Sequence, residues 1–277
     1  MPAFIYDFYG YFYEPMFARR AAVALLLLAP VSAGAGVLVV NQRLAFFADA
    51  VGHSVFAGAA LALVLHLPEK PAVLAFGALI GLLVVYLSRH SRLASDTVIG
   101  LVFSGAVALG LAVVSRNPSA AKGLSRFFLG DVLLLGDGEI AILLGLLIFS
   151  FVFMAIFFNH LTLLGLAPVL ARSRHPLKSR VAPYAFGVFL ALVVMVSVWA
   201  VGVLLVTALL VAPAAAGRNW AGSSAAMFRL AVLVAVVSGQ AGLYLSTDPR
   251  INTATGATVV LVSIAVFSVS FITRRRS

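Results

Sequence analysis

Long apolar runs, most of them uncharged, alternate along the chain with short clusters of basic residues. Nine runs approach or exceed the roughly 18–20 residues that carry a helix across a hydrocarbon core. They are Ala21–Val40, Ala50–Leu67, Pro71–Ser88, Thr97–Ser115, Ile140–Phe158, Val181–Trp199, Val201–Gly217, Ala225–Leu245 and Ala254–Ile272. The sixth and seventh come from one uncharged stretch, Val181 to Gly217. As a single helix that stretch would be about 55 Å long, nearly twice the ~30 Å core. It has to fold back, and Trp199 to Gly202 is the predicted bend. The runs lack the alternation a strand barrel needs. The expected fold class is therefore all-α: a polytopic helical membrane protein with about nine transmembrane helices.

The punctuation between runs adds detail. The loop from His160 to Arg180 holds a short apolar helix, Leu161–Ala171, too short to span. Basic residues follow it, and Pro176 and Pro183 are expected to stop its continuation. A short helix between spans is what a membrane subunit needs to dock into a partner's groove; a plain interfacial helix would read the same way. Gly77 and Gly81 form a G-x-x-x-G that permits close helix contact and speaks for packing. Pro30 with Gly34 and Gly36, and Pro213, are expected to kink their helices. Ser95 or Asp96 before Thr97 fits a helix N-cap.

Composition agrees. Of 277 residues, 63% are hydrophobic and only 10% charged, and the mean hydropathy is +1.12, which no soluble domain of this size shows. The expected organisation is an interfacial aromatic segment at residues 1–20 (Phe4 to Phe17), a transmembrane domain at 21–273 and a basic cytoplasmic tail at 274–277. The N-terminus lacks a cleavable signal pattern. No cysteine is present, which removes disulfides, thiolate ligands and cysteine catalysis together.

The net charge of +10 points to membrane topology and not to nucleic acid, because the basic residues sit in short loops. With the Arg172–Arg180 loop inside, the inner loops hold twelve Lys and Arg and the outer ones seven. That makes the C-terminus cytoplasmic and the N-terminus external, with Arg19 and Arg20 as exceptions.

Within this topology the chemistry concentrates at Asp49 and His53. Four residues apart, they share a helix face. Ionisable groups inside a bilayer are costly and need a partner, a wet path or a cation. Counting ten residues from Arg43 puts His53 about 15 Å in, near mid-membrane. The pair can be a structural lock between helices. It can equally be a metal site, since one carboxylate oxygen and one imidazole nitrogen suit zinc, which affinity rank favours, or manganese. Two ligands do not close a zinc site; two copies of the chain about a twofold axis would double them.

His66 and Glu69, at the outer mouth of the second run, are secondary candidates to meet an arriving cation. His90, His160 and His175 fall among basic interfacial residues and are expected to be solvated. Asp131, Asp137, Glu139 and Asp248 could form an acidic collar. No Gly-rich phosphate loop, H-E-x-x-H or G-x-S-x-G occurs, so the chain is not expected to be an enzyme.

Four blocks resemble the permease subunits of ATP-driven zinc, manganese and iron importers. They are R-L-A-F-F-A-D-A-V-G-H-S-V-F-A-G-A-A-L-A (43–62), D-T-V-I-G (96–100), T-L-L-G-L-A-P-V-L-A-R (162–172) and A-V-G-V-L-L-V-T-A-L-L-V-A-P-A-A-A (200–216). S-T-D-P-R-I-N-T-A-T-G-A (246–257) resembles the family's last external turn. The resemblance implies a homodimeric permease in the cell (inner) membrane. A separate cytoplasmic ATP-binding subunit would drive it, and an external metal-binding protein would feed it. It places Asp49 and His53 on the metal path and makes the 162–175 loop an ATPase-coupling helix, with Leu163, Gly165, Pro168, Leu170, Ala171 and Arg172 in contact. The family's Asp-Pro-Glu in that loop is Ala167-Pro168-Val169 here, and its following glycine is at or near His175. An ATP-independent cation carrier or channel is the alternative; it would not require the Leu161–Arg172 helix.

Overall fold

The computed structural model describes residues 16–116, 132–251 and 253–274, and in them every predicted run coincides with a helix. The helices are α1 (Met16–Gln42), α2 (Phe47–Val64), α3 (Glu69–His90), α4 (Ser95–Arg116), α5 (Asp137–Leu166), α6 (Pro168–Arg174), α7 (Pro176–Val201), α8 (Val203–Trp220), α9 (Ser224–Thr247) and α10 (Thr255–Ile272). Among the described residues nine of these are long and apolar enough to cross a membrane, and α6 is a seven-residue piece between two of them. No strand occurs among the described residues. The aromatic residues from Phe4 to Tyr13, with Asp131 and Arg275–Arg276, lie outside them.

The Val181–Gly217 stretch breaks at Gly202, with φ 89° and ψ 157°. Only glycine takes that conformation without a Cβ clash, so the predicted bend has a stereochemical cause.

The loop after α5 differs from the expectation. Helix α5 runs on to Leu166, eight residues past the predicted Phe158, because nothing before Pro168 disfavours helix. A proline pushes the residue before it out of the α region, and Ala167 (φ −141°, ψ 72°) and His175 (φ −140°, ψ 74°), before Pro168 and Pro176, are the two breaks. The short helix therefore starts at Pro168, and the Leu161–Leu166 half of the predicted one belongs to α5.

Pro183 does not stop a helix; it lies inside α7. Its missing N–H frees the carbonyl four residues back, on Ser179. Arg89 of α3 donates to that oxygen (3.5 Å) and to the Arg180 carbonyl (3.1 Å), so the break in the backbone ladder is repaired from a neighbouring helix.

Helices α1 and α2 bury 72% of their apolar windows and α7 buries 67%, against 22% for α5 and 28% for α4 and α10. The first three are thus the core, and the others present apolar faces outward. Small residues set the crossings. A Cβ on Gly36 of α1 would overlap the Leu210 carbonyl of α8. Gly77 and Gly81 do act in packing: a Cβ on Gly81 would stand 2.7 Å from the Gly187 carbonyl, and one on Gly77 would strike Met195, both on α7.

The basic loops gather at one end. Arg218 donates to the Val40 carbonyl (3.5 Å), Trp220 to Thr273 (2.9 Å), and Gly165 lies against the Asn41 carbonyl. At the opposite end Arg20 pairs with Asp137 at 2.8 Å. One of the two arginines that break the charge rule is thereby neutralised, and one of the predicted collar acids is committed to it.

Candidate functional site

Helix α2 begins from a tight reversal. Arg43 takes the left-handed region (φ 57°). The Leu44 N–H donates to the Val39 carbonyl (3.0 Å) and the Arg43 N–H to Val40 (3.3 Å), the paired bonds of a Schellman closure. The far end repeats the device. His66 has φ 53°, with Leu67 N–H to the Ala62 carbonyl (2.9 Å) and His66 N–H to Leu63 (3.4 Å).

The turn at residues 44–46 consumes chain that a straight helix count assigns to depth. Asp49 falls in the first turn of α2, and His53 stands about 9 Å along it from Phe47, closer to the basic end than the 15 Å count.

Both side chains are partly exposed, while the opposite side of this part of α2 is sealed. Gly52 lies against Val194, Val198 and Val203. The His53 ring stacks with Phe56 (centroids 6.3 Å apart) and meets the edge of Phe103 of α4 (5.3 Å). Asp49 has His53 beside it on its own helix and the Thr207 side chain of α8 near enough to act on its carboxyl group. The Thr207 hydroxyl itself donates to its own Leu204 carbonyl (3.3 Å).

Thr207 escaped the sequence reading. Its signal was available: it is the one polar side chain between Val201 and Gly217. Together the three groups offer a carboxylate, an imidazole and a hydroxyl on one accessible face, a set fit for a borderline divalent cation. Among the described residues no cluster of three or more His, Cys, Asp and Glu occurs.

The secondary candidates lie elsewhere. His66 is seventeen residues from Asp49, about 26 Å along the axis, and is exposed, as is Glu69. Glu69 lines a cavity of about 140 Å³ with Lys70, Val73, Met195 and Trp199, and Lys70 sits over the Trp199 ring (4.1 Å).

Of the loop residues, Leu163 and Gly165 are in α5, and Pro168, Leu170, Ala171 and Arg172 are in α6. Val169 (81% exposed) and Leu170 (44%) face outward, and Ala171 is buried. Ala171 is the anchor: its carbonyl accepts from the Ser179 hydroxyl (2.9 Å), which also meets His160 Nε2 (3.2 Å). His160 is thus buried under α6 (7% exposed) and not solvated as its basic surroundings suggested. Its ring also contacts His175 edge-on at 5.9 Å. His90 and His175 are exposed as expected.

Comparison with known proteins bears on the whole chain. The profile of the ABC 3 transport family matches residues 14–274. The manganese import system permease protein ScaB of Streptococcus gordonii is 29% identical over 92% of this chain and 90% of that protein. The high-affinity zinc uptake system membrane protein ZnuB of Haemophilus influenzae is 27% identical over 91% and 95%. The solved structure of PsaBC from Streptococcus pneumoniae in complex with Fab superposes with a TM-score of 0.82 at 25% identity, covering 99% of this chain and 97% of that one. A second structure, of an ABC transporter in an inward-facing conformation, shares the fold (TM-score 0.69, 16% identity, 91% and 84% covered).

Proposed function

The chain belongs to the ABC 3 transport family, and from that premise we propose that it is the membrane permease subunit of a manganese or zinc importer. ATP hydrolysis falls to a separate subunit, and this chain forms the metal's path. The observation that carries the reading is the Asp49–His53–Thr207 face of α2 and α8, partly exposed in an otherwise apolar bundle. The permease relatives named above import manganese or zinc, and a carboxylate–imidazole set accepts both.

The pair is half a coordination shell. Two copies of the chain, with their Asp49 and His53 turned toward a shared axis, would complete it, so the working unit is a homodimer. An external solute-binding protein would deliver the ion at the end that carries Asp137, Glu139 and Asp248. The C-terminus and α6 lie in the cytoplasm, where basic loops are retained.

Helix α6 is the coupling element. Val169 and Leu170 offer an apolar face to the ATPase subunit, while the Ser179–Ala171 bond ties α6 to α7. Closure of the ATPase pair would move α6 and α7, and alternate exposure of the two pairs would follow.

The test is metal uptake by the reconstituted importer. With Asp49→Ala and His53→Ala together, uptake should fall to background although the complex still hydrolyses ATP. Uptake at the normal rate would remove the pair from the path. Placing cysteine at position 170 should give a crosslink to the ATPase subunit, and none across positions 168–172 would remove α6 from the coupling role.

A further inference from the structure

At the end where the basic loops gather, α3, α6 and α7 border an open cavity of about 560 Å³ lined by Ser88, Arg89, Arg172, Pro176, Ser179 and Arg180. Three guanidinium groups border it, and among the described residues no carboxylate lies within ion-pair distance of any of them. The one ion pair among the described residues, Arg20–Asp137, is at the opposite end. Arg89 is held in place by the Ser179 and Arg180 carbonyls and by the Tyr184 ring (5.6 Å), which are neutral partners that leave its charge uncompensated. The Ser88 hydroxyl is buried and has no hydrogen-bond partner among the described residues. A buried orphan hydroxyl beside one fixed guanidinium group, with two more at the same mouth, asks for an oxyanion with several acceptor oxygens.

The surroundings say how that anion arrives. Arg89 is the second-last residue of α3, and Arg180 stands in the second turn of α7, so the cavity lies at the depth of the headgroups. Below Arg89 on α3 come Tyr86 (52% exposed) and Leu82 (38%), and beside Arg180 on α7 comes Val181 (60%). The basic mouth thus continues into an apolar surface at hydrocarbon depth.

We propose that this cavity is a binding site for the phosphate of an anionic phospholipid, with the headgroup among Arg89, Arg172, Arg180 and Ser88 and the acyl chains along α3 and α7. Basic pockets between membrane helices hold such headgroups. Its assignment to the inner leaflet rests on the orientation proposed above; the lipid chemistry does not.

The full chain, placed in nanodiscs of phosphatidylcholine with about 20 mol % phosphatidylglycerol, is extracted into detergent, and the retained lipid is counted by native mass spectrometry. Phosphatidylglycerol should be retained in preference to phosphatidylcholine. Arg180→Gln should lower its apparent affinity about fivefold, and Arg89→Gln added to it about 25-fold in total, at ~1 kcal/mol per charge. Arg180 makes no side-chain hydrogen bond to another described residue, so the single variant remains readable if the double one does not fold.

Equal retention of the two lipids would overturn the proposal. So would unchanged retention in Arg180→Gln. Full displacement by millimolar inorganic phosphate would reassign the cavity to a free anion, and displacement by the ATPase subunit would reassign it to that protein. The count needs neither metal nor ATP, so it fails or succeeds independently of transport.

Discussion

His53 and His160 stand in comparable stretches of sequence: each lies in an apolar segment, ten residues after Arg43 and twelve before Arg172 respectively. The structure separates them. His53 is partly exposed, flanked by Phe56 and Phe103, and faces a carboxylate on its own helix. His160 is buried, and its Nε2 meets the Ser179 hydroxyl that in turn holds the Ala171 carbonyl. One histidine keeps an accessible face toward an acid; the other is consumed in joining three helices. The lesson is that a histidine's role follows from what surrounds it on neighbouring helices, which spacing along its own helix does not encode.

That contrast is open to direct attack. Asp49→Ala with His53→Ala should lower metal uptake in proteoliposomes about a hundredfold or more, since losing ligands should cost at least as much as the 10–100-fold typical of second-shell partners. The melting temperature of the purified permease should hardly change. A large drop in melting temperature would make the pair a structural lock.

Thr207→Val comes next, with uptake about tenfold lower. If the hydroxyl is the group that matters to the carboxyl, Thr207→Ser restores most of the activity, and equal losses in both variants would speak against that role.

For His160→Ala the expected deficit is in stability, about 1–2 kcal/mol for a buried hydrogen bond and its packing. Chemical denaturation in detergent would read it. The apparent KM for metal should stay unchanged, and a raised KM would erase the distinction between the two histidines. The smallest effect is expected at the far end of α2. His66→Gly should leave uptake within about twofold and change stability by no more than ~1 kcal/mol, as glycine tolerates the left-handed region. A strong uptake defect there would return His66 to the metal path.

Much of the fold was legible. The nine apolar runs coincide with the nine membrane-length helices among the described residues, and Gly202 made the predicted bend because a helix of that length could not remain straight and only a glycine fits the turn. The end of α5 was not legible. Boundaries depend on where helix becomes impossible, and Pro168 sets that point further along than the drop in hydrophobicity does. Pro183 misled in the opposite direction, because its freed carbonyl is served by Arg89, ninety residues earlier. At the site, Asp49 and His53 were visible as charges in an apolar run. Thr207 and the burial of His160 arise from partners distant in sequence, and a single chain read linearly holds no record of those approaches.

The Schellman closures at Arg43, which ends α1, and at His66, which ends α2, carry a mechanical implication. With α1 stoppered at Arg43 and α2 at His66, neither helix can gain a turn at that end without opening main-chain bonds. Asp49 and His53 would then change their access by the tilt of the whole rod, like a seesaw about its tight contacts with α7 and α8. Distances measured by spin labels at positions 46 and 65 should therefore shift in opposite senses through the transport cycle, with the length between them unchanged.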